Sequence, residues 1–390
     1  MRKYSVASLR IADQAAWSLA FFAFNAQCLS ALRADQFAGL ATATALGFIG
    51  VAISRSATLQ ADIISGTKQH VLSTEAVMVR SGLKVNALLG LAVGGCAWLA
   101  TSRLGDIGFV FAFLAAGLVL ADSPRQILVI EGRYVWSLFL AVGHAILAGF
   151  GVLFFQDDPS VWWLIVLCLL CWGGWMIVAL TRVPHLRERA PATVGLRLSL
   201  GLEACYFGLA GQVGLFALYF ADVSDATVAL RVSYALVFSP VFSLLQGLVP
   251  LIVRELNERM VQRRVGDVRR LLRRVSASVF FLSLLAGGLG CIVVPRFWAV
   301  DSNLFLAFLP VVGLSLVAAQ VLELYVTSIR MLEVSKGLHA ERTALAAGDI
   351  VLQLASVLIM GPLGLVSAIG VGALVRLLLV MRYGRRMRKR

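Results

Sequence analysis

Apolar runs of membrane-spanning length follow one another down almost the whole chain. A transmembrane helix needs roughly 20 mostly apolar residues. The runs lie at about residues 11–32, 37–54, 83–101, 107–121, 134–155, 161–181, 198–220, 232–253, 275–294, 302–325, 343–360 and 362–380, each bounded by charges or by Pro and Gly. Hydrocarbon offers a backbone amide no partner, so each run must be a helix. An all-α integral membrane protein with about 12 transmembrane helices is expected. With 59% hydrophobic and 14% charged residues in 390, the chain carries more apolar surface than a soluble core absorbs. The polar stretch Met1–Arg10 and the absence of a small-residue cleavage site after a short apolar core predict no cleaved leader.

The net charge is +14, and its placement tests the span count. With twelve spans and an inner N-terminus, thirty of the 35 Lys and Arg fall on one side. Arg33, Arg103, Arg231 and Arg296 fall on the other, and Arg376 lies within the last run. Positive residues crowd cytoplasmic loops, so a multi-pass protein of the cytoplasmic (inner) membrane with both termini cytoplasmic is expected. The charge then reports topology and contact with anionic headgroups, not nucleic acid. Cys168 and Cys171 form a C-x-x-C inside "WWLIVLCLLCWGGW". A redox pair needs an accessible thiolate of lowered pKa, so packing cysteines are expected.

The chain divides near "RVPHLRERAPATVGLR", with six spans on each side. The expected domains are a bundle of residues 1–190 and a bundle of residues 191–390. Even-numbered halves enter the membrane from one side and form a parallel pseudo-repeat. A shift of 190 residues sets Asp13 on Glu203 and Asp35 on Asp225.

Polar residues inside the runs are the candidate site. In "IADQAAWSLAFFAFNAQCLSAL", Gln14, Ser18, Phe21 and Asn25 share one helical face. That face either packs on another helix or lines a wet cavity. Asp13 and Glu203 sit near span starts, where an acid is either solvated or functional. Span 8 carries Pro240, Gln246 and Pro250, the marks of a kinked helix beside a pathway or a kink for packing. Glu323 and Arg330 share a face of span 10, with Arg330 open to a topological reading. His144 reads as a packing histidine. Asp349 is the deepest acid of the second half and, unpaired, would be costly. Gly90 and Gly94 form a helix-contact motif. No nucleotide-binding loop, metal cluster or long outer loop is present in the sequence, so no enzyme activity, cofactor or metal is expected.

Architecture and three segments resemble a known family: the lipid-linked oligosaccharide flippases of the multidrug/oligosaccharidyl-lipid/polysaccharide exporter superfamily. "DQAAWSLAFFAFNAQCLSALRADQFAGLATATALGFIGVAISRS" is similar to that family's opening helix pair, with an extra Ala38 between Phe37 and Gly39. "ALRVSYALVFSPVFSLLQGLVPLIVREL" looks like its eighth helix, and "DSPRQILVIEGRY" like an Asp-x-x-Arg…Gly-Arg stretch of some members. The resemblance implies a MATE-like exporter architecture and alternating access, with a lipid-diphosphate-linked sugar as cargo. Glycosyltransferases and a polysaccharide polymerase would be functional partners. A diphosphate calls for arginine forks. The candidates are Arg55, Arg125 and Arg330 on the inner side and Arg231 on the outer, with at least one expected unpaired. Gln14, Ser18, Asn25 and Gln246 are further candidates to touch cargo. Asp13, Glu203 and Asp349 are the candidate ion-coupling acids. A cation-coupled exporter of small amphipathic molecules stands as the rival on the same fold. A membrane-embedded sugar-transfer enzyme and a scaffold rank below it.

A cysteine placed at Asp157 in a cysteine-free background is expected to react with an impermeant reagent added outside. Reaction from the cytoplasm alone would overturn the twelve-span topology.

Overall fold

In a computed structural model, the structure describes residues 2–57, 79–130, 134–154, 193–242, 265–332 and 336–386, with residues 245, 252, 255, 256 and 259. No strand occurs among them. Span 6, the C-x-x-C and Gln246 lie outside the described residues. The α-helices are α1 (Arg2–Ala31), α2 (Ala34–Arg55), α3 (Val79–Thr101), α4 (Asp106–Ile130) and α5 (Tyr134–Phe154). They continue with α6 (Val194–Phe220), α7 (Ser224–Val232), α8 (Val265–Phe297), α9 (Ser302–Leu332) and α10 (Lys336–Arg386). Seven stretches among the described residues are long and apolar enough to cross a membrane. The chain separates into two compact units, Met1–Gln212 and Val213–Arg390.

Helix ends follow local chemistry. The Gln36 side chain reaches back to the Arg33 N–H (3.2 Å) and opens α2. Asp301 accepts from the Asn303 and Leu304 N–H groups (2.9 and 3.0 Å) and opens α9. Gly105, at φ 64°, turns the chain from a short 3-10 segment (Ser102–Leu104) into α4. After α6, Asp222 takes φ 58°, the Val223 N–H returns to the Leu218 carbonyl and the Asp222 N–H to that of Tyr219. This is a Schellman stop with aspartate in the left-handed position.

In unit 1, α1 packs along α5, while α2, α3 and α4 pack on one another. Small residues let α2 sit deep in that group. A Cβ on Gly47 would come within 2.9 Å of Leu118, and one on Gly50 within 2.7 Å of Val119. Gly90 and Gly94 of α3 face Leu120, Ala116 and Ala112 of α4, the helix contact expected of their spacing. Outward-facing Leu88, Leu91, Leu99 and Phe139 are exposed, as lipid-facing side chains would be.

In unit 2, α7 runs into a π-helical turn, Ser233–Phe238. Pro240 follows; it has no N–H for the Leu236 carbonyl, and the Ser239 N–H reaches back five residues to Tyr234. Val237 and Phe238 on this turn fit against glycines, Gly290 of α8 and Gly313 of α9. A core of Val268, Leu272, Leu322, Val326, Leu338 and Tyr383 joins α8, α9 and α10. α10 breaks at Gly361 (φ 62°, ψ −145°), followed by Pro362. The break falls where the sequence predicted a boundary between the last two spans.

Two expected boundaries are corrected. Span 4 does not stop at residue 121, because the helix continues to Ile130. Span 8 does not begin at residue 232, because α7 starts at Ser224 and Asp225 occupies its first turn. In both places a charged residue taken for a loop residue lies in a helix, tolerated there by burial against other protein groups.

Replacing Gly313 by Ala would drive a methyl to within 2.6 Å of the buried Phe238 ring. A loss of about 1–3 kcal/mol is expected, read as a lower unfolding temperature in detergent. Gly143→Ala meets nothing within 4 Å and is expected to unfold no earlier than the parent.

Candidate functional site

The polar start of α1 has its partners on α4 and α5. Arg125 of α4 donates from Nη2 to Asp13 Oδ2 (2.8 Å) and to Gln14 Oε1 (2.6 Å). The Ser137 hydroxyl of α5 donates to the other Asp13 oxygen (2.6 Å). Three helices thus meet at one carboxylate. One helical turn before Arg125, Asp122 takes the Arg55 fork from the end of α2, through Nε (2.9 Å) and Nη2 (2.5 Å). At 1.5 Å per residue, Asp13, Arg55, Asp122 and Arg125 all lie roughly 24–32 Å along their helices from the α1–α2 and α3–α4 turns. They form one layer at one end of unit 1. The layer holds two arginines and two aspartates, so its formal charge is zero.

The expected stripe on α1 divides. Gln14 belongs to this layer. Ser18 donates instead to the Gln14 carbonyl (2.7 Å) and Asn25 to the Phe21 carbonyl (2.7 Å), both within their own helix. Both side chains are buried. Trp17 lies between, with the Arg125 guanidinium over its ring at 4.9 Å and the His144 ring edge-on at 5.0 Å. His144 is buried in a packing position.

Unit 2 holds a second buried pair. Arg376 bonds Asp349 through Nη2, and its Nη1 donates to Ser315 Oγ of α9 (2.8 Å). Asp349 precedes the Gly361 break and Arg376 follows it, so the pair fastens the two arms of α10 to each other and to α9. The residues lie about 18 and 22 Å along their arms from the break, distances shorter than the roughly 30 Å thickness of a hydrocarbon layer. Gly372, one turn before Arg376, leaves room for the acid: a Cβ there would stand 2.7 Å from Asp349 Oδ1.

Several expectations are corrected by this geometry. Asp349 is not an unpaired carboxylate, because low dielectric favours a counter-charge and Arg376 supplies it. Arg55 and Arg125 are not unpaired either; each holds an aspartate. Arg231 does not sit at an outer loop but two turns into its helix, buried. Glu323 pairs with Arg342 (2.6 Å). Glu203 is buried in α6. Arg330 is in α9, with its side chain outside the described residues.

Sequence reasoning missed Asp122, Ser137, Ser315, Trp17 and Arg376 as participants. For Asp122 a signal existed in the Asp-x-x-Arg of "DSPRQILVIEGRY". That spacing puts acid and arginine on one helical face, but a helix ended at residue 121 hid it. Arg376 could have been found by asking which cation answers Asp349 in the neighbouring span.

No known family profile matches the chain, and no curated protein matches it. Solved structures do. An outward-facing multidrug resistance MATE family transporter of the MOP superfamily aligns with a TM-score of 0.64 at 14% identity, over 98% of this chain and 95% of that one. An inward-facing MATE family transporter of the same superfamily aligns at 0.58 and 16% identity, over 98% and 99%. A MOP superfamily transporter from Pyrococcus furiosus, whose reversed binding-pocket polarity suggests a different function, aligns at 0.61 and 15% identity, over 97% and 94%. The chain therefore has the all-α membrane fold of MATE transporters. Identities this low establish the fold and leave cargo to be argued from side chains.

Removing one member of the buried unit 2 pair strands the other. Asp349→Ala or Arg376→Ala alone is expected to cost about 3–5 kcal/mol, and the double variant less than the sum of the two. Unfolding of the four proteins in one detergent measures this; additive losses would remove the coupling.

Proposed function

We propose that this chain is a membrane transporter, not an enzyme, and that it moves a lipid-diphosphate-linked oligosaccharide across the cytoplasmic membrane by alternating access. The product would feed cell-surface polysaccharide synthesis, downstream of glycosyltransferases and upstream of a polymerase. Full-length likeness to transporters solved facing outward and facing inward supports the transport mode.

One observation carries the cargo. Arg55 and Arg125 come from different helices and lie in one layer, linked through α4, where Asp122, which takes the Arg55 fork, stands one turn before Arg125. Thirty Lys and Arg crowd the side on which the charge bias sets that layer. A diphosphate has two phosphoryl groups to offer two planar forks. The polyprenyl chain of such a cargo would stay in lipid while the headgroup enters protein.

The rival is a cation-coupled exporter of small amphipathic molecules. It is favoured by the buried acids Asp13, Glu203 and Asp349 and by the multidrug resistance transporters among the structural likenesses. The two readings part at arginine: a lipid diphosphate depends on the forks, whereas an amphipathic cation is repelled by them.

In a deletion strain complemented with variants, Arg55→Ala with Arg125→Ala is expected to cut export by on the order of tenfold or more. Lipid-linked intermediate should accumulate on the inner leaflet. The two Lys variants should also lose export, because lysine keeps charge without the fork. Normal export from a stably expressed double Ala variant would leave this reading without an inner binding site.

A further inference from the structure

The two arginines assigned above to the diphosphate already hold anions of the chain itself. Asp122 receives Arg55 through two parallel bonds, the geometry in which a guanidinium also grips two phosphate oxygens. Arg125 gives Asp13 a single nitrogen, and its buried Nε has no hydrogen-bond partner among the described residues. Asp13 does not depend on Arg125 alone, because Ser137 holds its other oxygen. Arg55 is the accessible member: its side chain is 30% exposed, against 7% for Asp122 and 5% for both Arg125 and Asp13. A headgroup would meet Arg55 first, with Arg125 and its unused donor behind it.

The carboxylates oppose an incoming anion twice. They occupy the donors it needs, and they repel its charge in a medium that screens poorly. A diphosphate can take both forks at once; one phosphate can replace only one carboxylate.

We propose that Asp122 and Asp13 are built-in counter-anions, standing in for the two phosphoryl groups, and that cargo binds by displacing them from Arg55 and Arg125. This rests on the diphosphate reading of the layer and adds to it a residue pair that sets specificity. In that role the acids keep the forks aligned while the site is empty and exclude ligands carrying one phosphate.

The test uses the full chain in lipid nanodiscs, with inorganic pyrophosphate and orthophosphate as probes in titration calorimetry. Asp122→Asn keeps a hydrogen-bond acceptor for Arg55 but removes the competing charge. It is expected to bind pyrophosphate about tenfold more tightly than the parent, with at least as large a gain for orthophosphate, which no longer has to displace a charged carboxylate from Arg55. Asp13→Asn should gain in the same direction. Unchanged or weaker pyrophosphate binding by a folded Asp122→Asn, while the parent binds and Arg55→Ala does not, overturns the counter-anion role and leaves the diphosphate reading standing. Absence of pyrophosphate binding in the parent and in both Asn variants overturns both. Should the variants fail to fold, infrared difference spectra of the parent with carbon-13-labelled aspartate answer the question. Pyrophosphate should shift the carboxylate stretch as arginine leaves; binding without a shift overturns the proposal.

Discussion

The meeting of Arg125 with Asp13 is the contact on which unit 1 depends. A guanidinium in a medium of low dielectric needs a counter-charge and partners for its donors. Those partners, Asp13 and Gln14, come from α1, and Ser137 of α5 donates to the same Asp13. Removing α1 or α4 would leave a charge without an answer, and removing α5 would leave an Asp13 oxygen without its donor, so the pair ties tertiary structure together in a way apolar packing in lipid cannot. Hydrocarbon tails are as apolar as leucine, and helices in a bilayer gain little by exchanging one for the other. What selects the arrangement is close approach at small residues, as where α2 meets α4 at Gly47 and Gly50, together with a few charge pairs.

Much of the fold was legible because hydropathy reports the bilayer directly. The end of α2, the start of α5 and the break at Gly361 all fall within a residue or two of their predicted places. The failures share one cause. Asp122, Arg125 and Arg231 were read as boundaries because charge and lipid do not mix, yet each is inside a helix. A hydropathy profile sees a residue and its chain neighbours. It does not see the aspartate that comes from another helix and makes the charge tolerable.

The site was legible in its residue types more than in its pairings. Asp13, Gln14, Arg55 and Arg125 were all singled out, and they come together in one layer. Ser18 and Asn25 share their face but return their hydrogen bonds to the helix backbone. Helical periodicity tells which side chains face the same way and is silent on which carbonyl each will choose. Asp349 was singled out for the cost of an unanswered carboxylate; the answer, Arg376, lay 27 residues further along in the adjoining span.

The corner at Gly361 and Pro362 bears on how the protein is made. Asp349 leaves the ribosome well before Arg376, and the two become neighbours only when the second arm of α10 folds back on the first. Until then the first arm would present an acid to lipid, and the second, entering alone, an arginine. Entering the bilayer one at a time, each arm would carry a formal charge; entering as a closed hairpin, they carry none. The corner thus makes membrane insertion of the two arms of α10, Lys336–Arg386, a cooperative event, and a nascent chain cut short before Arg376 would hold a charged helix that cellular quality control can recognise as unfinished.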